Sequence, residues 1–242
     1  MALNPQAPYV GSSAFAHKAG LHVSAIAKRP DAYEHVTPDA IGNGTRFVVS
    51  ELAGKSSLAL KAKELGLELD GPTLSDVVDT LKRHEHEGYH YEVADASLEL
   101  LMRKAGGWDP QWFQVDSWEV IVDDQRQDER LSSQAIVKGR TNNQTFHEIA
   151  DGNGPVNALD KALRKAIGTR YPALEQVHLT DYKVRVLDTA KGTGAVTRVL
   201  IDSTDGEQSW TTIGVGENII EASWQALEDS LVYGLLRAEL RR

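Results

Sequence analysis

The feature that most limits the folds open to this chain is an internal repeat in its second half. When Trp118 is aligned with Tyr182, the apolar positions that follow match without a gap over most of the segment. In each copy, apolar residues first alternate with a period of two and then recur at helical spacing. Each copy, about residues 114–170 and 178–240, is therefore predicted to form three strands and a helix.

One such unit cannot bury its own apolar surface, because a three-stranded sheet with one helix leaves a sheet face uncovered. Two copies related by a pseudo-twofold axis, doubled again in a homodimer, would cover it. The predicted fold class is α+β, with helical subdomains over residues 1–110 and a duplicated β-β-β-α domain over residues 111–242.

Residues 1–110 show helical spacing and turn residues. A short helix is predicted around residues 14–28, and longer ones over 56–65, from 72 towards Gly88, and over 94–105. Ser56 is predicted to cap the second of these helices.

Composition excludes several classes of function. Lys and Arg total 26 against 35 Asp and Glu, and a net charge of −9 argues against a nucleic-acid or anionic membrane surface. With no cysteine, the chain has no disulfide, thiolate metal site or cysteine nucleophile. No spanning helix or signal peptide is found in the sequence, so we expect a cytoplasmic protein.

Three histidines, His84, His86 and His90, suggest a metal site, since His86 and His90 fit the spelling H-E-x-x-H. That motif needs one continuous helix, and Gly88 interrupts it. We therefore predict a solvated helix end and no metal site.

A glycine turn precedes the helix of each repeat. Gly152, Asn153, Gly154 and Pro155 form the first turn, and Gly216, Glu217 and Asn218 belong to the second. Free backbone amides at two helix N-termini could receive the carboxylate of a small acidic or zwitterionic ligand. The alternative is that these glycines only turn a strand into a helix.

The N-terminal segment is the best candidate for chemistry. His17 and His22 lie five residues apart beside a small-residue turn, and Tyr33 and His35 follow. These titratable or proton-donating side chains lie in a segment with few core residues, although surface histidines remain an alternative.

At these residues the chain resembles the 2-isopropylmalate and homocitrate synthase family, and within it the citramalate synthases. The resemblance covers essentially the whole chain. The matching segments are residues 8–11, 14–25, 33–35, 49–56, 152–159, 179–187 and 217–224.

The resemblance implies a domain order of a (β/α)8 barrel, a helical linker and a duplicated regulatory and dimerisation domain. Only the linker and the regulatory domain have counterparts here. We therefore expect either a shortened protein or a gene that has lost its barrel, and we expect this part to be inactive alone. The divalent metal of the family would be bound by the absent barrel, acetyl-CoA would be a substrate, and no cofactor is expected in these 242 residues.

The family reaction condenses pyruvate with acetyl-CoA. By resemblance His22 would assist enolisation or proton shuttling in a partner's barrel, Tyr33 would donate a hydrogen bond near the thioester or the acceptor, and His17 is a less certain neighbour. The duplicated domain would bind isoleucine as the feedback effector.

Three alternatives stay open: the regulatory part of a 2-isopropylmalate synthase that binds leucine, a stand-alone amino-acid-binding dimer acting on a separate barrel protein, and a purely structural dimerisation module.

Overall fold

The chain folds as a mixed α+β protein in a computed structural model that describes residues 4, 6–11, 13–18, 25–26, 28–29, 31, 33–48, 54–125, 130–142 and 144–241. Its helices and strands, in chain order, are β1 (Ala16–Lys18), β2 (Arg46–Val48), α1 (Lys55–Glu64), α2 (Gly71–Glu87), α3 (Asp95–Ala105), β3 (Gln114–Gln125), β4 (Arg130–Thr141), β5 (Gln144–Gly152), α4 (Pro155–Ile167), β6 (His178–Val186), β7 (Thr197–Thr204), β8 (Ser209–Gly216) and α5 (Ile219–Leu240).

The chain divides into two compact units. The first comprises Met1–Glu92 and Leu101–Gly107, and the second comprises Val93–Leu100 and Trp108–Arg242. Helix α3 contributes residues to both units, its first half to the second unit and its last turn to the first.

In the first unit, α2 has the amphipathic character that its sequence predicts. Its buried residues recur at helical spacing: Leu74, Val77, Val78 and Leu81. The carboxylate of Asp70 accepts a hydrogen bond from the backbone N–H of Thr73 at 2.8 Å and caps its start. Gly88, with a φ of 112°, ends it in the left-handed region.

Two predictions for the first unit are wrong in detail. Of the helix predicted around residues 14–28, residues 16–18 form β1, which pairs in parallel with β2 so that His17 lies opposite Phe47. Residues 25, 26 and 28 are helical as predicted, and 19–24 lie outside the described residues. The N-cap of α1 is Gly54, and Ser56 lies within the first turn of the helix. A strand as short as β1 has too few positions to show a period of two.

In the second unit, two three-stranded antiparallel sheets have the orders β3-β4-β5 and β6-β7-β8. Trp118 pairs with Val137 in the first sheet, and Tyr182 pairs with Ile201 in the second. The same shift along the chain that aligns Trp118 with Tyr182 in the sequence also aligns their pairing partners. A register irregularity occurs near the start of β3 and near the start of β6 as well.

Each sheet is packed against the helix that follows it. Helix α4 contacts β4 and β5, and α5 contacts β7 and β8. Their buried faces form one core, whose larger aliphatic and aromatic members are Val137, Leu159, Leu163, Ile167, Leu174, Val177, Val199, Ile201, Trp210, Trp224, Leu227, Leu231 and Leu235. Strand β6 is exposed along its whole length.

The first half of α3 protects the free edge of β8. Outward-facing amides of an edge strand need a partner. The amide of Ile213 donates to Ser97 Oγ at 3.1 Å, and the amide of Thr211 lies 3.4 Å from Asp95 Oδ1.

Two partly buried side-chain bonds hold α3 in this position on α5. Ser97 Oγ donates to Asp229 Oδ2 at 2.8 Å, and the Tyr233 hydroxyl donates to Glu99 Oε2 at 2.9 Å. Both bonds link residues that are far apart in the sequence, so they are tertiary contacts of the second unit.

Candidate functional site

The first candidate site is a polar cluster in the first unit, centred on His17. Strand β1 carries His17, whose side chain is 14% exposed. Its Nε2 lies 3.0 Å from Oε1 of Glu34, whose side chain is only 5% exposed. Because an ionised carboxylate has no hydrogen to donate, Nε2 of His17 is the donor.

Thr45 completes the environment of this carboxylate. Its hydroxyl donates to the same Oε1 of Glu34 at 2.7 Å, from the residue just before β2. Glu34 therefore joins three stretches of chain, and the pairing of β1 with β2 brings the two hydrogen-bond donors to it.

The residues on either side of Glu34 face outward. Tyr33 is 45% exposed, and His35 is exposed with its Nε2 3.1 Å from the hydroxyl of Tyr9. The Tyr9 and His35 rings meet edge to face, with their centroids 5.8 Å apart. Glu34 is thus buried, whereas the Tyr33 ring and the His35 imidazole on either side of it are exposed.

Asn43 fixes the segment that carries Tyr9. Its side-chain amide donates to the carbonyls of Tyr9 and Gly11 at 2.8 and 2.9 Å, and its Oδ1 accepts from the amide of Gly44. Two bonds from one side chain thus hold this loop against the stretch before β2.

The structure describes two of the three residues predicted to be catalytic. His17 lies in the cluster and Tyr33 is adjacent to it, whereas His22 lies outside the described residues. Sequence reasoning gave no role to Glu34, Thr45 or Asn43. Their contacts cross long stretches of chain, and no local pattern shows them.

One of the histidines at the end of α2, His84, lies in an aromatic cluster with Tyr89 and Tyr91. Nδ1 of His84 lies 2.6 Å from the Tyr91 hydroxyl, and the His84 ring stacks on Tyr89 with centroids 4.7 Å apart. Burial lowers the pKa of His84. The predicted helix end is confirmed and His86 is exposed as expected, but His84 is partly buried.

The glycine turn before α4 has a packing role. A Cβ atom on Gly152 would overlap the amide nitrogen of Ala158, so helix and strand approach too closely for any side chain. The amide of Asn153 donates to Asn157 Oδ1 at 3.2 Å, and Gly154, the N-cap, provides no side-chain cap before Pro155.

The corresponding turn before α5 is capped by the chain itself. Oδ1 of Asn218 accepts from the amides of Ile220 and Glu221 at 2.8 and 3.4 Å. A Cβ on Gly216 would meet nothing closer than 3.7 Å, and Glu217 is exposed. The amides predicted to bind a ligand carboxylate at this helix are thus bonded to Asn218.

Comparison with known proteins identifies both units. Residues 92–235 match the model of the LeuA allosteric (dimerisation) domain, which covers more than half of the chain. The chain belongs to the LeuA allosteric (dimerisation) domain family. Residues 9–88 of this LeuA-domain protein match the model of the homocitrate synthase post-HMGL domain-like family.

Curated relatives of this LeuA-domain protein are named (R)-citramalate synthase. Those of Aquifex aeolicus and Streptomyces coelicolor are 47% identical over 241 residues and 51% identical over 234 residues. The one from Geobacter sulfurreducens is 46% identical over 238 residues. The alignments cover 99%, 96% and 98% of this chain but only 46%, 44% and 45% of the relatives, so the chain spans under half their length.

Metal-ligand groups and membrane spans are both lacking among the described residues of this LeuA-domain protein. Across those residues, no three His, Asp or Glu side chains are grouped as a metal ion requires. No helix in the same residues has the length and apolar character to cross a bilayer.

Proposed function

We propose that this chain is the accessory and regulatory part of a citramalate synthase, which condenses pyruvate with acetyl-CoA to (R)-citramalate. The observation that carries the proposal is the similarity of nearly the whole chain to proteins of that name at 46–51% identity. Because the chain covers under half of those proteins, the condensation is assigned to a whole protein and not to these 242 residues alone.

The chemistry sets what the accessory residues must do. A base removes a proton from the acetyl methyl group, the resulting carbon bonds to the keto carbon of pyruvate, and an acid protonates the alkoxide. Water then cleaves the thioester and releases CoA. A divalent metal, if bound elsewhere in the whole protein, would polarise the keto acid, and we assign it no ligand in this chain.

We assign the proton-handling roles to the segment around His17. His22 assists enolisation or carries a proton, and Tyr33 donates a hydrogen bond near the thioester or the acceptor. The exposure of Tyr33, at 45%, supports a role against another surface, because a phenol ring is normally more buried. His17, whose ring Nε2 lies 3.0 Å from Glu34, is a further candidate in the same segment of the sequence.

For the second unit we propose a duplicated, pseudo-twofold domain that binds isoleucine. The register that the two sheets share when Trp118 is aligned with Tyr182 supports the duplication. The first turn of α4 has no side-chain cap, so its amides suit the carboxylate of an amino acid. Around the start of α5, the exposed Ile219 and the partly buried Ile220 offer apolar contacts for a branched side chain.

The exposed edge strands support assembly as a homodimer. Large apolar side chains are exposed on β3 and β6, where a second copy would remove them from water. They are Ile121, Val122, Leu179, Tyr182, Val184 and Val186.

The direct test is turnover by the full-length protein that contains this chain. We expect release of CoA from acetyl-CoA with pyruvate, and much less with the branched keto acid that leads to 2-isopropylmalate. His22→Ala should lower kcat by about 100-fold or more, the usual size of a lost general acid or base.

His86→Ala is the matched control, since His86 is exposed on α2 and is not part of the polar cluster around His17. It should retain the wild-type kcat. An unchanged kcat in His22→Ala, or a preference for the branched keto acid, would overturn the assignment.

A further inference from the structure

We propose that Glu34 is a positioning residue, whose buried carboxylate fixes the imidazole of His17 with Nε2 as donor and Nδ1 as proton acceptor, and at the same time fixes the segment that carries Tyr33. This role rests on the function proposed above. It assigns to Glu34 a task in the condensation that no sequence pattern suggests.

Burying the Glu34 carboxylate has a free-energy cost. Glu34 has only 5% of its side chain exposed, and removing a carboxylate from water costs several kcal/mol unless donors replace the water. Two donors do so here, the His17 ring at 3.0 Å and the Thr45 hydroxyl at 2.7 Å.

A purely structural link at position 34 would not need a charged side chain. A glutamine at position 34 would accept from the same two donors without the desolvation penalty of an ion. A carboxylate differs from an amide in one chemical respect, because it accepts only and never donates. The carboxylate therefore imposes a direction on the hydrogen bond that an amide would leave open.

The carboxylate also determines which nitrogen of the His17 imidazole carries the hydrogen. A partner that must accept places the hydrogen of neutral His17 on Nε2 and leaves the lone pair on Nδ1. Orientation of a histidine by a carboxylate recurs where the other nitrogen handles a proton or binds a metal, and loss of the carboxylate usually costs about 10- to 100-fold in activity. The His17 side chain keeps 14% exposure, so the ring is not sealed from solvent.

Glu34 also holds the stretch of chain that carries Tyr33. Glu34 is buried and bonded to His17 and Thr45, whereas its neighbour Tyr33 is exposed. Displacing the carboxylate would thus disturb the His17 ring and the backbone of Tyr33 together.

The kinetic test uses Glu34→Gln, His17→Asn and the double variant in the full-length protein. We expect each single variant to lower kcat at least tenfold, with the KM for acetyl-CoA within about twofold of wild type. The double variant should fall no further than His17→Asn alone, because residues that act as a unit are not additive.

Glu64→Gln is the matched control, since this glutamate pairs with Lys61 on α1 at the surface of the same unit. It should leave kcat unchanged. If Glu34→Gln does not fold, Glu34→Asp, which keeps the charge but withdraws it by one methylene, takes its place in the same comparison with His17→Asn. Retained kcat in the Glu34 variant, or losses that multiply in the double variant, would overturn the role of Glu34.

A second readout needs no activity. In this chain labelled with ¹⁵N-histidine, wild type should show a His17 ring N–H proton protected from solvent exchange, which His17→Asn and Glu34→Gln both remove. Absence of that proton in wild type overturns the proposal whatever the activity. A full-length protein that is inactive with pyruvate while the protected proton is present would instead refute the proposed function.

Discussion

Gly152 and Gly214 let a helix lie directly against a strand of each sheet. A Cβ on Gly214 would overlap the Ala222 carbonyl oxygen, which belongs to the backbone of α5. Since backbone atoms cannot swing aside, Gly214→Ala should lower the free energy of unfolding by about 3 kcal/mol. Urea unfolding of the purified chain measures this.

Gly216→Ala in the same strand is the control, because its Cβ would meet only atoms 3.7 Å away or further. It should change stability by less than about 0.5 kcal/mol. Equal losses in the two variants would show that α5 does not approach β8 as closely as described.

Asn218 tests what the glycine turn before α5 does. Its Oδ1 bonds two orphan amides of the helix, so Asn218→Ala should destabilise the chain by about 1 kcal/mol. Asn218→Asp should be tolerated, since aspartate is an equally good cap. A chain that is unaffected by Asn218→Ala in the absence of amino acids would indicate that this residue does not cap α5 and is free to bind a ligand.

At the residue scale, sequence reasoning found chemically distinctive side chains but not their partners. His17 and Tyr33 are recognisable because histidine and tyrosine are unusual in a segment with few core residues. Glu34 looks like one more acidic residue in a chain with 35 of them, and only the pairing of β1 with β2 shows that it is buried.

At the scale of elements, the turn between β7 and β8 is tied to the end of α5 by Asp205. Burial alone would raise the pKa of Asp205, but the amides of Gln208 and Glu207 and the guanidinium groups of Arg237 and Arg241 together hold this pKa well below its usual range. A carboxylate with a lowered pKa in the folded state stabilises the fold above its unfolded pKa of about 3.9 and stops doing so as the pH falls through the folded value.

Asp205→Asn should therefore lower the free energy of unfolding at pH 7, by roughly 2 kcal/mol, since several of the lost bonds involve charged groups. The difference from wild type should narrow as the pH falls below about 4. Thermal unfolding between pH 2.5 and 7 checks the sign. Asp116→Asn, which removes an exposed pair with Arg140, should show little effect at any pH, whereas a gap that widens in acid would contradict the account of Asp205.

The docking of α3 depends on a phenol bonded to a buried carboxylate. Burial and then the charge of Glu99 raise the pKa of Tyr233 far above its usual value, so the hydroxyl keeps its proton and donates. Tyr233→Phe should cost about 1.5 to 3 kcal/mol in the free energy of unfolding, the range for bonds to charged groups.

Tyr182→Phe is the comparison, because the Tyr182 hydroxyl lies 2.6 Å from the neutral hydroxyl of Ser223. Its loss should cost about 1 kcal/mol or less. Equal costs measured by urea unfolding would mean that the Glu99 contact contributes no more than a neutral one.

The elements themselves follow from periodicity where they are long. The stripe of α2 and the alternation of β3 and β6 predict their structures, and Gly88 predicts the helix end. Strand β1 and the contact of α3 with β8 do not follow, because so short a strand has no measurable period and the polar residues Ser97 and Glu99 suggest a solvent-facing helix surface.

At the scale of the whole molecule, the repeat is the most informative pattern in the sequence. The alignment of Trp118 with Tyr182 predicts two repeat copies with the same element order. The two sheets have matching strand pairing in that alignment. Periodicity does not show which ligand such a domain binds, because ligand choice depends on individual side chains and not on their spacing.

The measurement that tests the central claim most directly is thermal unfolding of this chain with and without millimolar L-isoleucine, with L-leucine and L-valine as controls. A ligand at about 100 times its Kd adds about 2.7 kcal/mol to the free energy of unfolding. We expect isoleucine alone to raise Tm by several degrees. A larger shift with leucine would assign the chain to a 2-isopropylmalate synthase, and no shift with any of the three would contradict an amino-acid site in this domain.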